Sequence, residues 1–293
     1  MVEIGDLEVH GARIRWAAWG ERGLPGLVLV HGARAHWGWW SRAVTEPLRP
    51  GRRVVALDLS GHGDSGHRQA YAAEDWAGEV AAVVEACVGV EAAIAGHSMG
   101  GFVAIAVAAL HPERVSSLLL LDALVRRPDP LSETEPRGIP RRPLRVYRDR
   151  EEAIAAFRLV PAQPVVDPEL LRRVAAESVR RCEGGWAWKF DPAVAQRFTD
   201  AAIAGNLMRV DAPIGYLYGQ LSPESTAGTA DLIAELSGRP VARRGVPGCN
   251  HHLLLDRPEA VGEGLRLLLA ELGRGGSQLP KPTMDPYNQP NDR

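Results

Sequence analysis

Short runs rich in apolar residues, separated by stretches with helical spacing, most constrain the fold of this chain. The runs span residues 26–30, 53–58, 91–95, 115–121, 214–218 and 240–246. Continuous apolar runs of this length are typical of strands buried on both faces, as in a parallel sheet. Between them, apolar residues recur at helical spacing over 74–88, and the segment 99–110 is apolar nearly all round. Strands that alternate with helices predict an α/β fold with a doubly wound, mostly parallel sheet, and the alternating segment 7–20 adds two antiparallel strands.

One long interval breaks this rhythm, because no buried strand is evident between residue 125 and about residue 206. Helical patterns at 150–159 and 168–182 predict a mainly helical insertion that lies over the end of the sheet as a cap. The last stretch of the chain is polar and rich in Pro and Gly, which is typical of a disordered tail. The expected organisation is therefore a core at 1–124 and 207–273, a cap at 125–206 and a disordered tail at 274–293.

The composition limits the partners of the protein. A net charge of −2 and the lack of a basic stripe argue against nucleic acid. No long apolar run suggests a membrane span, and the N-terminus does not resemble a signal peptide, so we expect a cytoplasmic protein without a membrane partner. Three widely spaced cysteines disfavour both a disulfide framework and a zinc site. We expect a small-molecule substrate, no cofactor and no metal, in a monomer or homodimer.

The segment AGHSMGGFVA, residues 95–104, places Ser98 between Gly96 and Gly100, directly after a predicted strand and before a predicted helix. In this context G-x-S-x-G is typical of a nucleophile elbow, a sharp turn with strained backbone at which larger flanking side chains would collide. The turn lifts the Ser98 hydroxyl above the sheet, beside a helix N-terminus that favours negative charge. The alternative interpretation is a glycine-rich turn with a capping serine.

A serine hydroxyl needs a base to become a good nucleophile. Among the nine histidines, His251 lies between the last predicted strand and the last predicted helix, at the same edge of the sheet as Ser98. His252 is the neighbouring alternative. A tetrahedral intermediate also needs an oxyanion hole of two N–H donors, and the sequence indicates Met99 and Ala33, the latter in the loop after the first parallel strand.

Several motifs, taken in order, resemble the α/β-hydrolase superfamily, in its cofactor-free serine-hydrolase branch, over residues 5–273. They are VLVHGARAHWGWW, VVALDLSGHGDSG, AGHSMGG, HPERVSSLLLLDA and PGCNHHLLLDRP. The resemblance implies that Ser98 is the nucleophile and that His251 is the base. Two positions depart from the family pattern: Ser60 replaces an arginine, and Ser222 stands where the catalytic acid usually follows a late strand.

A carboxylate must hold the histidine in the correct tautomer and stabilise its imidazolium form. Asp122 directly follows the predicted strand 115–121 and is expected to face the site. A subset of the superfamily, including haloalkane dehalogenases, keeps its acid at that strand end. Glu224, two residues after Ser222, is the alternative acid, and a structural capping role is the alternative for Asp122. We favour Asp122 as the acid.

Four side chains are candidates for a substrate pocket. Arg34 and Trp37 lie in the loop that carries Ala33, and Trp186 and Trp188 alternate within the insertion. The alternatives are a solvated Arg34, a Trp37 that only packs the next helix, and a strand-like segment around Trp186 and Trp188 that docks the cap on the core.

With the resemblance, these residues predict a carboxylesterase-like serine hydrolase that cleaves an ester-type bond of a small molecule through a Ser-His-Asp triad and an acyl-enzyme. Alternatives on the same fold are a carbon–carbon bond hydrolase, a lactonase, a thioesterase and a cofactor-free perhydrolase. Dehalogenase and epoxide-hydrolase chemistry is disfavoured, because those relatives carry aspartate where this chain has Ser98. A non-catalytic ligand-binding protein is the alternative of a different class.

Overall fold

The computed structural model describes residues 2–129, 144–194 and 198–275. Its strands are Glu3–Val9 (β1), Ala12–Trp19 (β2), Gly26–Val30 (β3), Arg53–Leu57 (β4), Ala92–His97 (β5), Val115–Leu121 (β6), Val179–Cys182 (β7), Gly185–Trp188 (β8), Ile214–Gly219 (β9) and Val241–Val246 (β10). Its α-helices are Arg42–Thr45 (α1), Ala73–Cys87 (α2), Met99–Leu110 (α3), Arg150–Ala155 (α4), Pro168–Glu177 (α5), Asp200–Leu207 (α6), Ala227–Ser237 (α7), Leu253–Asp256 (α8) and Pro258–Gly275 (α9).

Eight strands form one sheet in the order β1-β2-β4-β3-β5-β6-β9-β10. β2 pairs antiparallel with both β1 and β4, and the other neighbours pair in parallel. This topology confirms the doubly wound, mostly parallel α/β fold. The apolar runs at 26–30 and 115–121 coincide with β3 and β6.

The central strands are buried on both faces. In β3, Val28 and Val30 pack in the cluster that contains residues of α2 and α3, whereas Leu27 and Leu29 pack with residues of α1 and α9. Successive side chains of a strand point to opposite faces, so a strand covered by helices on both sides must be apolar throughout. The parallel pairing places the carboxyl ends of β3, β5 and β6 along one edge of the sheet.

The insertion between β6 and β9 differs in detail from the expectation. The helix predicted over 168–182 ends at Glu177, and the following residues form β7, which pairs antiparallel with β8. Gly184, in the turn between the two strands, has φ 80°, and Gly185, the first residue of β8, has φ 150°, conformations that glycine adopts readily. A Cβ atom on Gly185 would overlap the carbonyl oxygen of Tyr147. The insertion is therefore helical with an added two-stranded hairpin.

The end of the expected cap belongs to the main core in its packing. Ile203 and Leu207 of α6 lie in the same buried cluster as the apolar side chains of α3. α5 instead contributes Leu170 and Val174 to a smaller cluster with Trp39. The tail expected at 274–293 lies almost entirely outside the described residues. None of the described helices combines the length and the apolar composition that crossing a membrane requires.

Candidate active site

Ser98 lies in the turn between β5 and α3. Its backbone angles, φ 54° and ψ −121°, are rarely adopted by a residue with a side chain. A Cβ atom on Gly96 would overlap the carbonyl group of Gly100, and a Cβ atom on Gly100 would overlap the carbonyl oxygen of Val30. The two glycines therefore allow the close packing of strand and helix that holds Ser98 in this strained conformation.

His251, in the loop between β10 and α8, contacts both Ser98 and Asp122. Its Nε2 lies 3.1 Å from Ser98 Oγ, and its Nδ1 lies 2.9 Å from Asp122 Oδ1. Because a carboxylate only accepts hydrogen bonds, we assign the ring proton to Nδ1, which leaves the Nε2 lone pair facing the hydroxyl. In this tautomer a histidine can take a proton from a serine.

Asp122 follows β6 and is fully buried. Its Oδ2 accepts a hydrogen bond of 2.8 Å from the Gly219 N–H, and its Oδ1 accepts one of 2.7 Å from the Ser222 hydroxyl. The hydrogen bond that Glu224 forms with this group comes from its backbone, since its N–H donates to Ser222 Oγ at 3.2 Å. The carboxylate in contact with His251 is thus the one at the end of β6.

The sequence indicates position 222 only as one that lacks the usual acid, and it does not reveal the role of the Ser222 hydroxyl. The structure has its hydroxyl as a donor to Asp122. One chemical signal could have indicated this role. A hydroxyl at the position where the carboxylate is missing can donate a hydrogen bond to an acid on the neighbouring strand. Gly219, the last residue of β9, supplies a backbone donor that side-chain patterns cannot indicate.

The loop after β3 lies against the Ser98 turn. A Cβ atom built on Gly32 would be 3.4 Å from Ser98 Cβ. His31 fixes this loop, because its Nδ1–H donates to the Gly32 carbonyl oxygen at 2.7 Å and its Nε2 accepts from the Leu59 N–H at 3.1 Å. Burial lowers the pKa of His31 well below its ordinary value, so the ring stays neutral and can both donate and accept.

The two candidate oxyanion donors belong to the elements that meet at Ser98. Ala33 is the residue after Gly32 in the loop, and Met99 is the first residue of α3. The first amides of a helix have no carbonyl partner within the helix, and they carry the positive end of its dipole. This corner of the molecule is therefore suited to stabilise a negative oxygen next to Ser98.

A buried carboxyl group ties the same loop to the loop after β4. Asp58 Oδ1 accepts from the Trp37 N–H at 2.7 Å, and Oδ2 accepts from the Asp64 N–H at 2.8 Å. Burial raises the pKa of Asp58 to about 7, although both backbone hydrogen bonds oppose this shift.

Ser60, which replaces the family's arginine, lies in a loop with a different brace. Its N–H donates to Glu79 Oε2 at 2.8 Å, and its Oγ accepts from Arg68 Nε at 3.1 Å. Arg68 Nε also forms a 3.0 Å ion pair with the buried Glu79. A guanidinium thus reaches this loop from position 68 instead of position 60.

Two further histidines flank His251. His97 Nε2–H donates to the His251 carbonyl oxygen at 2.9 Å, and His252 Nε2–H donates to the Pro161 carbonyl oxygen at 3.1 Å. Burial lowers the pKa of His97 to about 4 and that of His252 to about 3, so both rings are neutral at pH 7. One ring nitrogen from each of the three lies within 4.8 Å of the other two, a set of donors that suits a transition metal.

Hydrogen bonds also join the histidine loop to the insertion. The Gln163 side chain accepts from the His252 N–H at 2.8 Å and donates to Asp256 Oδ1 at 2.8 Å. Together with the bond from His252 to Pro161, these contacts orient His252 toward the insertion and leave His251 as the histidine in contact with Ser98.

A cavity of about 190 Å³ lies between the insertion and the loop after β3. Its lining is mostly apolar and aromatic, with Arg34 and Ala33 on the loop side and His252 beside them. The insertion contributes Phe157, Leu159, Val160, Trp188 and Phe190 to the lining. Of the four candidate pocket side chains, Arg34 and Trp188 therefore line this cavity, together with the candidate oxyanion residue Ala33.

The other two candidate pocket residues lie elsewhere. Trp37 lines a separate groove of about 660 Å³ together with Trp19 and Trp40. Trp186 pairs with Tyr147 through two backbone hydrogen bonds of 2.8 and 2.9 Å and is not among the residues that line the smaller cavity. Two residues apart in β8, Trp186 and Trp188 share one face of the strand and pack against the same small cluster, and of the two only Trp188 reaches the cavity lining.

A model of the family described as "Alpha/beta hydrolase family" matches residues 27–263. Esterase Rv0045c of Mycobacterium tuberculosis is 28% identical over 231 residues, which cover 75% of each protein. The dihydrolipoyllysine-residue acetyltransferase component of an acetoin cleaving system from Pseudomonas putida is 41% identical over 116 residues, or 39% of this chain. That match spans only 31% of the relative's length.

Solved structures share the fold over nearly the whole chain. The thioesterase domain from the curacin biosynthetic pathway superposes with a TM-score of 0.74 at 22% identity, covering 92% of this chain and 99% of that one. The crystal structure of esterase Rv0045c superposes with a TM-score of 0.70 at 23% identity, covering 92% of both chains. At this level of identity the structural similarity describes the fold alone.

Proposed function

The chain belongs to the α/β hydrolase family, and from this premise we propose that it is a serine hydrolase that cleaves an ester-type bond of a small molecule. The observation that carries the proposal is the continuous series of hydrogen bonds from Ser98 through His251 to Asp122. A hydroxyl, an imidazole and a buried carboxylate in this order form the arrangement that activates a serine for acyl transfer. A relative named as an esterase, matched over three quarters of its length, supports the ester bond as the target.

In the first half-reaction, His251 Nε2 removes the Ser98 hydroxyl proton while Oγ attacks the ester carbonyl carbon. The Asp122 carboxylate stabilises the imidazolium that forms. The tetrahedral intermediate then collapses, the bond to the leaving oxygen breaks, and His251 returns the proton to the departing alcohol. An acyl-enzyme on Ser98 remains.

In the second half-reaction, water replaces the alcohol. His251 removes a proton from the water as its oxygen attacks the acyl carbon, and the proton passes to Ser98 Oγ when the acid leaves. In both halves the negative carbonyl oxygen is held by the N–H groups of Met99 and Ala33. Removing one such donor typically lowers kcat by about 10²–10³-fold. The strained turn and the loop after β3 therefore contribute to catalysis by positioning these two N–H groups.

The decisive experiment is covalent labelling with a fluorophosphonate, followed by peptide mass spectrometry and an assay with p-nitrophenyl butyrate. The wild type should take up one probe per chain on the peptide that contains Ser98, and Ser98→Ala should neither label nor turn over the ester. Ser116→Ala, which alters an exposed serine on β6, is the matched control and should behave as the wild type. Labelling that persists in Ser98→Ala, or an unlabelled and inactive wild type, would refute the proposal.

A further inference from the structure

Backbone strain in the described chain falls on few residues other than glycine. Four such residues have a positive φ: His10, Arg34, Ser98 and Asp122. His10 belongs to the tight turn between β1 and β2, whereas Ser98 and Asp122 are the proposed nucleophile and acid. Residues with a Cβ atom rarely hold this conformation unless the surrounding structure enforces it, and such positions concentrate at functional sites. Arg34, with φ 58°, is the remaining member of this set.

Arg34 directly follows Ala33 and lines the 190 Å³ cavity. Its guanidinium carbon lies 4.9 Å from the centroid of the Phe190 ring, which lines the same cavity. Stacking on an aromatic face orients the guanidinium plane. A guanidinium has five N–H donors, so it can bind an anion in addition to its contacts within the protein.

The charged side chains that line the cavity are all cationic. Arg34 and Arg158 are the two charged residues among those that line it, and neither Asp nor Glu occurs in that set. Arg158 is exposed, and its Nη1 donates to the carbonyl oxygens of Ala155 and Phe157. Arg34, which follows the proposed oxyanion donor Ala33 in sequence, is therefore the less exposed of the two cations in a lining that is mostly apolar and aromatic.

The volume of the cavity limits what can enter it. An engineered apolar cavity of about 150 Å³ in another protein binds benzene. The 190 Å³ cavity is therefore large enough for one aromatic ring or a short alkyl chain with a terminal polar group, and smaller than typical drug-binding pockets of about 300–1,000 Å³.

We propose that the substrates are small hemiesters, in which the acyl part carries a carboxylate that Arg34 binds within the mostly apolar cavity. The acyl part remains attached to Ser98 through both half-reactions, so a contact beside the carbonyl group serves each of them. This inference rests on the proposed hydrolase function and adds the charge and the size of the acyl group.

The test compares anionic esters with neutral esters of matched shape. Monomethyl terephthalate is paired with methyl 4-methylbenzoate, and monoethyl adipate is paired with ethyl hexanoate. The wild type should prefer the anionic member of each pair by at least about tenfold in kcat/KM, the lower range for one charge-assisted hydrogen bond. Arg34→Gln should lose about 10- to 100-fold on the anionic esters and less than about threefold on the neutral ones.

Three further variants separate recognition from structural support. Arg34→Lys keeps the charge without the planar fork and should retain part of the preference. Arg34→Gly removes the backbone strain, so its melting temperature should stay level or rise while the preference disappears. Arg145→Gln is the matched control, because Arg145 lies 4.7 Å from the Tyr147 ring centroid in a similar stack and is not among the cavity residues. It should leave the anionic-to-neutral ratio unchanged.

The outcomes distinguish this proposal from the hydrolase function itself. A wild type that labels and hydrolyses neutral esters without preferring the anionic ones would overturn the Arg34 proposal alone, as would a preference abolished by Arg158→Gln but not by Arg34→Gln. Calorimetric titration of Ser98→Ala with monomethyl terephthalate measures binding without turnover. Binding that disappears in Ser98→Ala/Arg34→Gln would support the Arg34 site even if hydrolysis of esters were refuted.

Discussion

The Ser222 hydroxyl donates a 2.7 Å hydrogen bond to Asp122 Oδ1. The same oxygen lies 2.9 Å from His251 Nδ1, so one carboxylate atom accepts from both residues. Ser222 follows β9 and Asp122 follows β6, and the carboxyl ends of these two neighbouring parallel strands lie side by side. The position at which relatives usually carry the acid thus holds a donor to an acid supplied by the adjacent strand.

Asp122→Asn should lower kcat for a p-nitrophenyl ester by about 10²–10⁴-fold with little loss of stability. An amide at this position can donate to the imidazole and so favour the tautomer that cannot accept the serine proton. Steady-state kinetics with a melting curve for each variant measure this. Glu224→Gln is the control and should change kcat by less than about threefold. The opposite ranking of the two variants would assign the acid to Glu224.

Ser222→Ala should lower kcat by about 3- to 30-fold and leave KM nearly unchanged, because the lost donor stabilises a charged group that acts through His251. The measurement is kcat and KM for one ester across pH, with the melting temperature as the readout for structural damage. A loss of stability with unchanged kcat would mean that Ser222 supports only the fold.

A carboxylate introduced at position 222 should restore part of the activity lost when Asp122 is replaced. Asp122→Asn/Ser222→Asp should recover at least about tenfold of the kcat lost in Asp122→Asn, since the new carboxylate lies at the position that donates to Asp122. Asp122→Asn/Ser222→Asn is the neutral control and should recover nothing. Equal activity of the two double variants would show that a carboxylate at position 222 does not reach His251.

Trp188→Ala should change the relative kcat/KM of esters with different acyl groups by about tenfold, because it enlarges the cavity between the insertion and the loop after β3. Trp188 contacts Phe157 in that lining, with ring centroids 5.6 Å apart. Trp186→Ala removes an equal side chain two residues away and should leave the ratios within about threefold. A panel of p-nitrophenyl esters of increasing acyl length measures both. Equal effects on every ester would indicate a structural role for Trp188.

Acid should destabilise the folded protein between pH 6.5 and about pH 3. Burial lowers the pKa of His36 to about 3, whereas an imidazole in the unfolded chain titrates near 6.5. Below pH 6.5 the unfolded state therefore binds more protons than the folded state, so the free energy of unfolding falls as the pH falls. The loss of stability is absent above the pKa of His36 in the unfolded chain and complete below its pKa in the folded protein.

Urea denaturation at pH 7.5 and pH 5.0 measures the effect. His36→Asn retains an acceptor for the Gly38 N–H and removes the titrating ring, so the loss of stability between the two pH values should shrink by about 1–2 kcal/mol. His111→Gln, which changes a partly exposed histidine at the end of α3, should leave the difference as in the wild type. An unchanged pH difference in His36→Asn would show that this ring is not responsible.

The sequence predicted best those elements whose environment is uniform along their length. β3, β6 and α3 were found at their observed bounds, because helices cover both faces of the strands and the helix is buried nearly all round. The alternation at Trp186 and Trp188 indicated a strand-like segment where β8 lies, but β7 and its pairing with β8 were not predicted. These short strands are only partly buried, and one edge pairs with Tyr147, a contact distant in sequence. Helical spacing alone could not distinguish the end of α5 from the start of β7.

In the site, local motifs identified Ser98 and His251 as candidates, since each lies in a turn with its own sequence pattern. The hydrogen bond from Ser222 to Asp122 joins positions 100 residues apart and has no local signature. The separation of Trp37 from the cavity depends on how its loop turns after Ala33, which the spacing of tryptophans does not encode. The direction of side chains in loops is therefore what local sequence patterns do not predict in this chain.

The bonds from Gln163 to His252 and Asp256 make the insertion an unsuitable unit for simple exchange. A chimera that replaced this segment with the corresponding part of a relative would also remove the anchor of the loop that carries His251. Even a well-folded graft with a suitable pocket would then leave the base free to drift from Ser98. A chimera built to change substrate specificity must therefore retain Gln163, although that residue is not among those that line the cavity.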